Sequence, residues 1–498
     1  MEVDTYFESR RTNNSKGNSL LPQPALAWLS IAGLVLITIL CAAIRAGTII
    51  RLIFPVACFG IGILFYLRYP VLYIGFTWWL WIITPWVRRI VDYQSGWVHP
   101  STILLAPYLV TLVSLATVIK HLPRLLRQDS LPFALTFFAV THGFLMGLIS
   151  SLFGTGNKLY VLVKIIRSFN TSSTATVTYT LTDALIGTLD WVTPVIIGCH
   201  LFLNWHYYPQ YRQNIQRVFF WTITIAGIYG VVQYLIAPQW DRYWLENAIE
   251  LGADSFGSPE PLGIRIFSTM NSPGSFARFM TAGLLLLFTG KGNLRWLSAP
   301  FAYLAFLLSL VRSAWGGWFL GLLIFSSSVK PRLQVRLLIM IVVITLCALP
   351  LTTIEPFSDV IQDRLQTFTN IQEDGSLEAR SETYGQVLNI ALLELFGNGF
   401  GLPGMDSSLL DIFIAMGWIG ALPYIMGLFL IVFKLISFRD PLADPFFSAS
   451  KAISLSLIAG FTFGNPFTAV EGVLIWFFLG IAFAGQKYNS RAKYLQNI

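Results

Sequence analysis

The feature of this chain that most constrains its fold is the recurrence of apolar runs long enough to cross a lipid bilayer. A helix needs about 17–25 mostly apolar residues to cross the hydrocarbon, and fourteen such candidate runs occur from end to end. Lipid offers no water to backbone polar groups, so only helices and closed barrels can span it. Runs of this length predict helices. We therefore expect an all-α polytopic membrane protein with about 12–14 transmembrane helices.

The composition fits that class: 55% of the residues are hydrophobic, 12% are charged, and the mean hydropathy is +0.64, outside the range of soluble domains. The last two runs are short and meet at Gly464-Asn465-Pro466, so a single broken hairpin remains an alternative there. The candidate spans are 27–44, 52–67, 70–87, 101–119, 131–152, 184–204, 218–237, 273–290, 296–311, 313–328, 337–354, 409–433, 452–463 and 468–485.

The distribution of charge predicts the orientation, because loops rich in Lys and Arg stay on the cytoplasmic side. With the N-terminus inside, 20 of the 33 basic residues but only 6 of the 25 acids fall in cytoplasmic segments. Both termini are therefore expected in the cytoplasm. The net charge of +8 follows from this bias, and nothing supports a nucleic-acid partner.

The chain divides into four parts by hydropathy. Residues 1–25 are a predicted cytoplasmic tail, and 26–237 form an N-terminal transmembrane bundle. Residues 238–437 form a core that includes a large outer loop, 355–408, and 438–498 form a C-terminal helical hairpin with a second cytoplasmic tail.

Several classes of chemistry lack the residues that they need. The chain has no Asp-x-Asp, no His pair at helical spacing, no Gly-rich phosphate loop and no catalytic Ser motif, so neither a metal nor another cofactor is predicted. The four cysteines, Cys41, Cys58, Cys199 and Cys347, lie in or beside apolar spans and are interpreted as small buried hydrophobic residues.

Four arginines are predicted on the outer side, Arg265, Arg312, Arg364 and Arg380. Guanidinium groups bind phosphate oxygens in pairs and keep their charge in apolar surroundings. Arginines at outer helix ends therefore suit a lipid-linked diphosphate, whereas for Arg312 a role as a membrane-interface anchor is the simpler alternative. Asp406 is a candidate base for an acceptor hydroxyl, or it only caps the helix that begins near Leu409.

Four segments resemble the O-antigen ligase and Wzy-type polysaccharide polymerase superfamily, in matching order between about 260 and 420. They are Arg265 to Ala277 (Arg-Ile-Phe-Ser-Thr-Met-Asn-Ser-Pro-Gly-Ser-Phe-Ala), Ser309 to Trp315 (Ser-Leu-Val-Arg-Ser-Ala-Trp), Arg380 through Tyr384 to Gly401, and Asp406 through Gly417 to Gly420.

This resemblance implies a glycosyltransferase type C-like fold and a metal-independent transfer of glycans from an undecaprenyl diphosphate carrier. Carried onto this chain, Arg265, Arg312 and Arg380 would bind the donor diphosphate, with Arg364 as a weaker fourth ligand. Ligases of the superfamily have His-Asn where this chain has Asp406-Ser407. That difference favours an O-antigen or exopolysaccharide polymerase with Asp406 as its catalytic residue.

The implied location is the cytoplasmic (inner) membrane, with catalysis on its outer side. The implied partners are a polyprenyl-diphosphate-linked oligosaccharide and the bilayer, along with a flippase and a chain-length regulator. The alternative is a transporter or transport-associated protein of the same superfamily, for example in bicarbonate uptake. A transporter would concentrate polar groups inside the membrane on broken helices, whereas this sequence concentrates charge at one interface.

Overall fold

The computed structural model describes residues 24–125, 130–153, 180–290, 294–329, 391–401, 407–438, 444–462 and 466–496, with positions 331, 334, 335 and 388. These residues are largely helical. The helices are α1 (Ala25–Ala43), α2 (Gly47–Arg68), α3 (Pro70–Ser95), α4 (Leu105–Leu112), α5 (Leu115–Lys120), α6 (Leu122–Leu125), α7 (Leu131–Phe153), α8 (Leu181–Leu203), α9 (Tyr208–Ile236), α10 (Gln239–Ile249), α11 (Pro273–Leu287), α12 (Leu294–Leu308), α13 (Arg312–Ser327), α14 (Ser408–Ser437), α15 (Pro445–Ala459) and α16 (Ala469–Gln496).

Nine helical segments in the described residues are long and apolar enough to cross a membrane, which confirms a polytopic helical fold. Four further predicted spans correspond to the shorter helices α11, α12, α13 and α15, of 15 or 16 residues each. The predicted span 337–354 lies outside the described residues, as do most of loop 153–183 and all of 355–387.

The helices run between two ends of one bundle. We call one the Arg265 end, where the guanidinium of Arg265 meets the turn between α12 and α13. The other is the Asp444 end, where Asp444, just before α15, pairs with Arg212 near the start of α9 at 2.9 Å. Helix α11 begins beside Glu471 at the Arg265 end and ends where Thr289 meets Gln216 near the Asp444 end. The short α11 therefore runs between the same two ends as the longer helices.

Large aromatic side chains fill the middle of the bundle. Trp78, on α3, is 1% exposed and packs edge-on against Phe219 of α9 and Phe477 of α16. The outermost helices are more exposed. Only 11% of the most apolar stretch of α1 is buried inside the protein. A groove of about 430 Å³ between α1 and α2 is lined almost entirely by apolar side chains. Lipid chains are the natural neighbours of such a surface.

Two segments between predicted spans, where loops are expected, are partly helical. Helix α3 continues to Ser95, beyond the predicted span 70–87, so Arg88 and Arg89 lie in its last turns. The extension is stabilised because Asp92, which is fully buried, accepts hydrogen bonds from Arg88 and Arg51 at 3.0 and 2.9 Å. The expected loop 238–272 contains helix α10.

Residues 397–401, the glycine segment, run in non-helical backbone against α7 and α8. Gly399 and Gly401 have φ values of 88° and 98°, a region that favours glycine. A Cβ on Gly399 would lie 2.1 Å from Cα of Gly147, and a Cβ on Gly401 would lie 2.1 Å from the carbonyl oxygen of Asp183. Both the conformation and the close approach require glycine.

The glycine segment also completes a break in α14. Gly417 has φ 59° and ψ −176°, which interrupts the helical hydrogen bonds around it. The backbone N–H of Asn398 donates to the carbonyl of Ile414 at 2.8 Å, and that of Gly399 donates to Ala415 at 2.9 Å. Non-helical backbone in a membrane protein is tolerated where protein surrounds it and supplies such partners. The two glycine-containing motifs therefore form one structural unit.

Candidate functional site

Arg265 lies in the non-helical segment before α11, and its guanidinium binds the turn that leads into α13. Nε donates to the carbonyl of Ser309 at 3.3 Å and Nη2 donates to that of Leu310 at 3.1 Å. Nη1 donates to the carbonyl of Ser255 at 2.7 Å. The positive charge of Arg265 is thus fixed within two residues of Arg312, the first residue of α13.

Helix α11 lies alongside the start of α13. The hydroxyl of Thr281 donates to the carbonyl of Ala314 at 3.5 Å, two residues after Arg312. Arg278 lies one turn before Thr281, towards the Arg265 end and on the same side of α11, because residues three apart share a helix face. The cluster formed by Arg265, Arg278 and Arg312, which we call the arginine cluster, is therefore gathered where two helices begin.

A carboxylate from α16 lies beside the arginine cluster. Glu471 pairs with Arg278, and its Oε1 accepts a hydrogen bond from the hydroxyl of Ser275 at 2.8 Å. The side chains of Arg278 and Glu471 are 14% and 12% exposed, so the pair is mostly buried but remains accessible to solvent. It joins the first turns of α11 and α16 at the Arg265 end.

A second, fully buried ion pair supports the segment that carries Arg265. Nε of Arg89 and Oδ1 of Asp241 lie 2.9 Å apart, with both side chains 0% exposed and an angle outside hydrogen-bond geometry. Nη1 of Arg89 donates to the carbonyl of Met270 at 2.5 Å. Gln233 donates to Asp241 at 2.9 Å and accepts from the N–H of Ser268 at 2.8 Å. This network holds Ser268 at φ 50°, a conformation that costs about 1–3 kcal/mol.

The structure places the guanidinium of Arg265 against the turn that precedes Arg312, and the role predicted for both residues stays a prediction. The other predicted site residues, Arg364, Arg380 and Asp406, lie outside the described residues. The sequence assigns no role to Arg89. It leaves Arg278, inside the predicted span 273–290, as an ion-pair partner, a phosphate ligand or neither, and it does not interpret Glu471 alone. A charged residue inside an apolar segment was the available signal for the last two.

The arginine cluster can hold an anion. Three helices, α11, α13 and α16, begin near it, and a helix N-terminus carries a partial positive charge. Within the described residues, no group of three or more His, Cys, Asp and Glu side chains could hold a metal ion. Elsewhere at this end, desolvation and then the charge of Arg88 lower the pKa of His99.

No protein-family model and no curated protein matches this chain.

Proposed function

We propose that this protein is an integral-membrane glycosyltransferase that polymerises or transfers glycans carried on a lipid diphosphate, at the outer side of the cytoplasmic membrane. The observation that carries the proposal is the arginine cluster, in which Arg265 is fixed against the turn before Arg312. The placement of Arg265 in the segment before α11 and of Arg312 at the start of α13 suits a ligand whose charged group lies at the interface and whose chain lies in lipid.

The arginine cluster is chemically suited to a diphosphate. Guanidinium groups bind phosphate oxygens through paired N–H donors, and they keep their charge where water is scarce. Glu471 pairs with Arg278 at the edge of the cluster. The positive charge of the guanidinium groups would stabilise the diphosphate leaving group as the glycosidic bond breaks.

The remaining assignments rest on the resemblance of four sequence segments to the ligase and polymerase superfamily. Arg380, and more weakly Arg364, would add further donors from the outer loop. Asp406 would accept the proton of the acceptor hydroxyl. The absence of the ligase His-Asn pair favours a polymerase over a ligase.

The decisive experiment replaces Arg312 by lysine and measures the length of the surface polysaccharide in a complemented deletion strain. The variant keeps the charge but loses the paired donors. We expect a loss of about 1.5–3 kcal/mol of transition-state binding, roughly a 10- to 150-fold fall in rate, and correspondingly short polymer.

Arg217→Lys is the matched control, because Arg217 is exposed near the start of α9 at the Asp444 end. It should support normal polymer length. Protein levels in the membrane must be equal for both variants, since an arginine that only anchors α13 would lower the amount of protein instead. Full-length polymer from Arg312→Lys at normal protein levels would contradict the proposal.

A second candidate function, solute transport, is favoured by one observation. Asp190 lies nine residues inside α8, within a candidate membrane span, where a carboxyl group usually has a function. Its only hydrogen bond within the described residues comes from the hydroxyl of Tyr108, at 2.5 Å. A transporter would not need the arginine cluster to bind a lipid diphosphate, so Arg312→Lys would leave the length of any surface polymer unchanged.

A further inference from the structure

A row of polar side chains runs along α4 and α5, with Tyr108 half-buried and Thr111, Ser114 and Thr117 buried. We call it the polar row. These residues are three apart in sequence, which in an α-helix would make them drift around the axis. The backbone between α4 and α5 is tighter, because Ser114 N–H donates to Thr111 and Thr117 N–H donates to Ser114, at 3.1 and 3.0 Å. Such 3₁₀ bonding stacks residues three apart on one face.

The polar row faces α3 and α8, and it is shielded from solvent. Thr111 and Ser114 are 0% exposed and Thr117 is 4% exposed. Thr111 Oγ1 accepts from the indole N–H of Trp81 at 3.0 Å, and the hydroxyl of Ser114 donates to the carbonyl of Thr111 at 2.6 Å. The row is therefore a line of polar groups, one turn apart, through the apolar bundle.

A titratable side chain from α8 lies at each end of the polar row. The carboxylate of Asp190 accepts from Tyr108 at 2.5 Å. Nδ1 of His200 lies 2.8 Å from Oγ1 of Thr117, and the hydroxyl of Tyr66 lies 2.8 Å from the same oxygen. His200 is three residues from the end of α8, so the row leads from Asp190 towards the Asp444 end.

Polar contacts between membrane helices often serve only to hold them together, and the Thr111 hydroxyl, which accepts from Trp81 of α3, fits that role. Two observations do not fit it. No cation pairs with Asp190 within the described residues. Nε2 of His200 is buried without a partner in the same part of the chain, as is the hydroxyl of Tyr211, which leaves positions that an ordered water would satisfy.

We propose that the polar row is a proton path, and that Asp190 is a proton-binding carboxyl group in exchange with water at the Asp444 end. In one passage, a hydronium ion at that end becomes water as Nε2 of His200 takes its proton. The imidazole releases the proton on Nδ1 to Thr117, and each hydroxyl of the row gains one proton as it gives up another. The Tyr108 hydroxyl finally protonates the Asp190 carboxylate. The path requires one hydrogen-bonded water in each gap of one 3₁₀ turn, about 6 Å.

The inference is independent of the glycosyltransferase proposal, since it uses none of the arginine cluster. It requires that no cation on the surrounding helices pairs with Asp190 and holds its carboxylate in the charged form. Glu471 is paired with Arg278, and Lys487 and Arg491 lie over the Trp205 ring at the Asp444 end. Among the described side chains, the ionisable ones on the segments packed against α8 include Tyr66, Tyr73, Tyr108, Lys120, His121, His142, Tyr424, Glu471, Lys487, Tyr488 and Arg491.

A hydrophobic carbodiimide provides the test, because it modifies carboxyl groups that are protonated in apolar surroundings. Inverted and right-side-out membrane vesicles are labelled while the pH is changed on one side only. Mass spectrometry then measures the modified fraction of the peptide that contains Asp190. We expect labelling that falls as the pH rises on the side of the Asp444 end, and no labelling of that peptide in Asp190→Asn.

Thr117→Val tests the path itself, because it removes one relay hydroxyl at nearly constant volume. After a pH change on the Asp444 side, the labelling of Asp190 should respond about 10²-fold more slowly, the lower range for loss of a positioned proton-transfer group. Thr136→Val is the matched control, since Thr136 is a buried threonine of α7 that donates to the carbonyl of Phe133. It should respond as the wild type does.

Three results would overturn the proposal. Asp190 left unmodified at every pH would mean that its carboxyl is not protonated in the bundle. Labelling that follows the pH on the side of the Arg265 end would mean that protons reach Asp190 from there. An equal response from Thr117→Val and Thr136→Val would remove the polar row from the path.

Discussion

Single residues at the Arg265 end differ in how much of their hydrogen-bonding capacity the fold already uses. The guanidinium of Arg265 donates to three backbone carbonyls, so its replacement should disturb the fold as well as any bound anion. Arg89 is more extreme, since it is fully buried against Asp241 and donates to backbone carbonyls. Removing one member of a buried pair leaves the other charge uncompensated, which costs about 3–5 kcal/mol.

Asp241→Ala should therefore lower the thermal stability of the detergent-purified protein sharply, by the equivalent of about 3–5 kcal/mol. Glu246→Ala, an exposed acid on the same helix α10, should change it by less than about 0.5 kcal/mol. The midpoint of thermal unfolding is the measurement. Equal midpoints for the two variants would show that the Asp241 carboxylate does not support the segment 265–270.

Asp406→Asn separates a base from a helix cap. Asparagine caps a helix about as well as aspartate, but it cannot accept a proton. If Asp406 is the base, polymerisation by the variant should fall by about 10²–10⁴-fold with unchanged expression. Normal polymerisation would identify Asp406 as a cap, with the base elsewhere or not needed.

The chemistry of single residues could be predicted from the sequence only in part. Arg265 and Arg312 stood out because each begins or precedes an apolar run. The partner of Arg278 could not be predicted, because Glu471 lies 193 residues away and spacing says nothing about such contacts. Arg89 was assigned to a loop because it follows an apolar run and a second arginine. In the structure, α3 continues through Arg89, whose side chain is buried against α10.

Individual elements depend on a few glycines. In Gly399→Ala the positive φ alone costs about 1–2 kcal/mol, and the new Cβ would lie 2.1 Å from Gly147. We expect little folded protein by size-exclusion chromatography. Gly316→Ala, at a helical position of α13 with no atom within 4 Å of the added Cβ, should be purified at the wild-type level. A well-folded Gly399→Ala protein would show that the segment can move away from α7.

The helices themselves were largely predictable, because the length of an apolar run identifies a span without reference to its neighbours. The residues at which the helices end were less predictable. Helix α3 extends to Ser95 through polar side chains that other helices bury. The glycine segment was recognisable as a motif, but its fit into the break at Gly417 depends on three helices at once.

At the scale of the whole molecule, sidedness can be measured directly. With Cys41, Cys58, Cys199 and Cys347 replaced by serine, a single cysteine is introduced at an exposed position of either end. Glu260→Cys marks the Arg265 end and Gln213→Cys marks the Asp444 end. The positive-inside bias predicts that an impermeant maleimide labels Glu260→Cys in intact cells, and Gln213→Cys only after the cells are permeabilised.

The reverse pattern would place the arginine cluster on the cytoplasmic side and would remove the support for transfer at the outer face. Labelling of both positions in intact cells would point to leaky cells, so a cytoplasmic marker protein is followed in parallel. The same two variants identify which vesicle side faces the Asp444 end in the carbodiimide experiment.

The position of the glycine segment has a consequence for biosynthesis. Helices α7 and α8 leave the ribosome long before residues 397–401, whereas α14, which supplies the carbonyls of Ile414 and Ala415, follows them. The segment therefore emerges with only part of its binding surface made, and its N–H groups gain these partners only once α14 has inserted. Final assembly of this region must wait for a late translocation step, so chains truncated before Gly417 should be recognised as incomplete by membrane quality control.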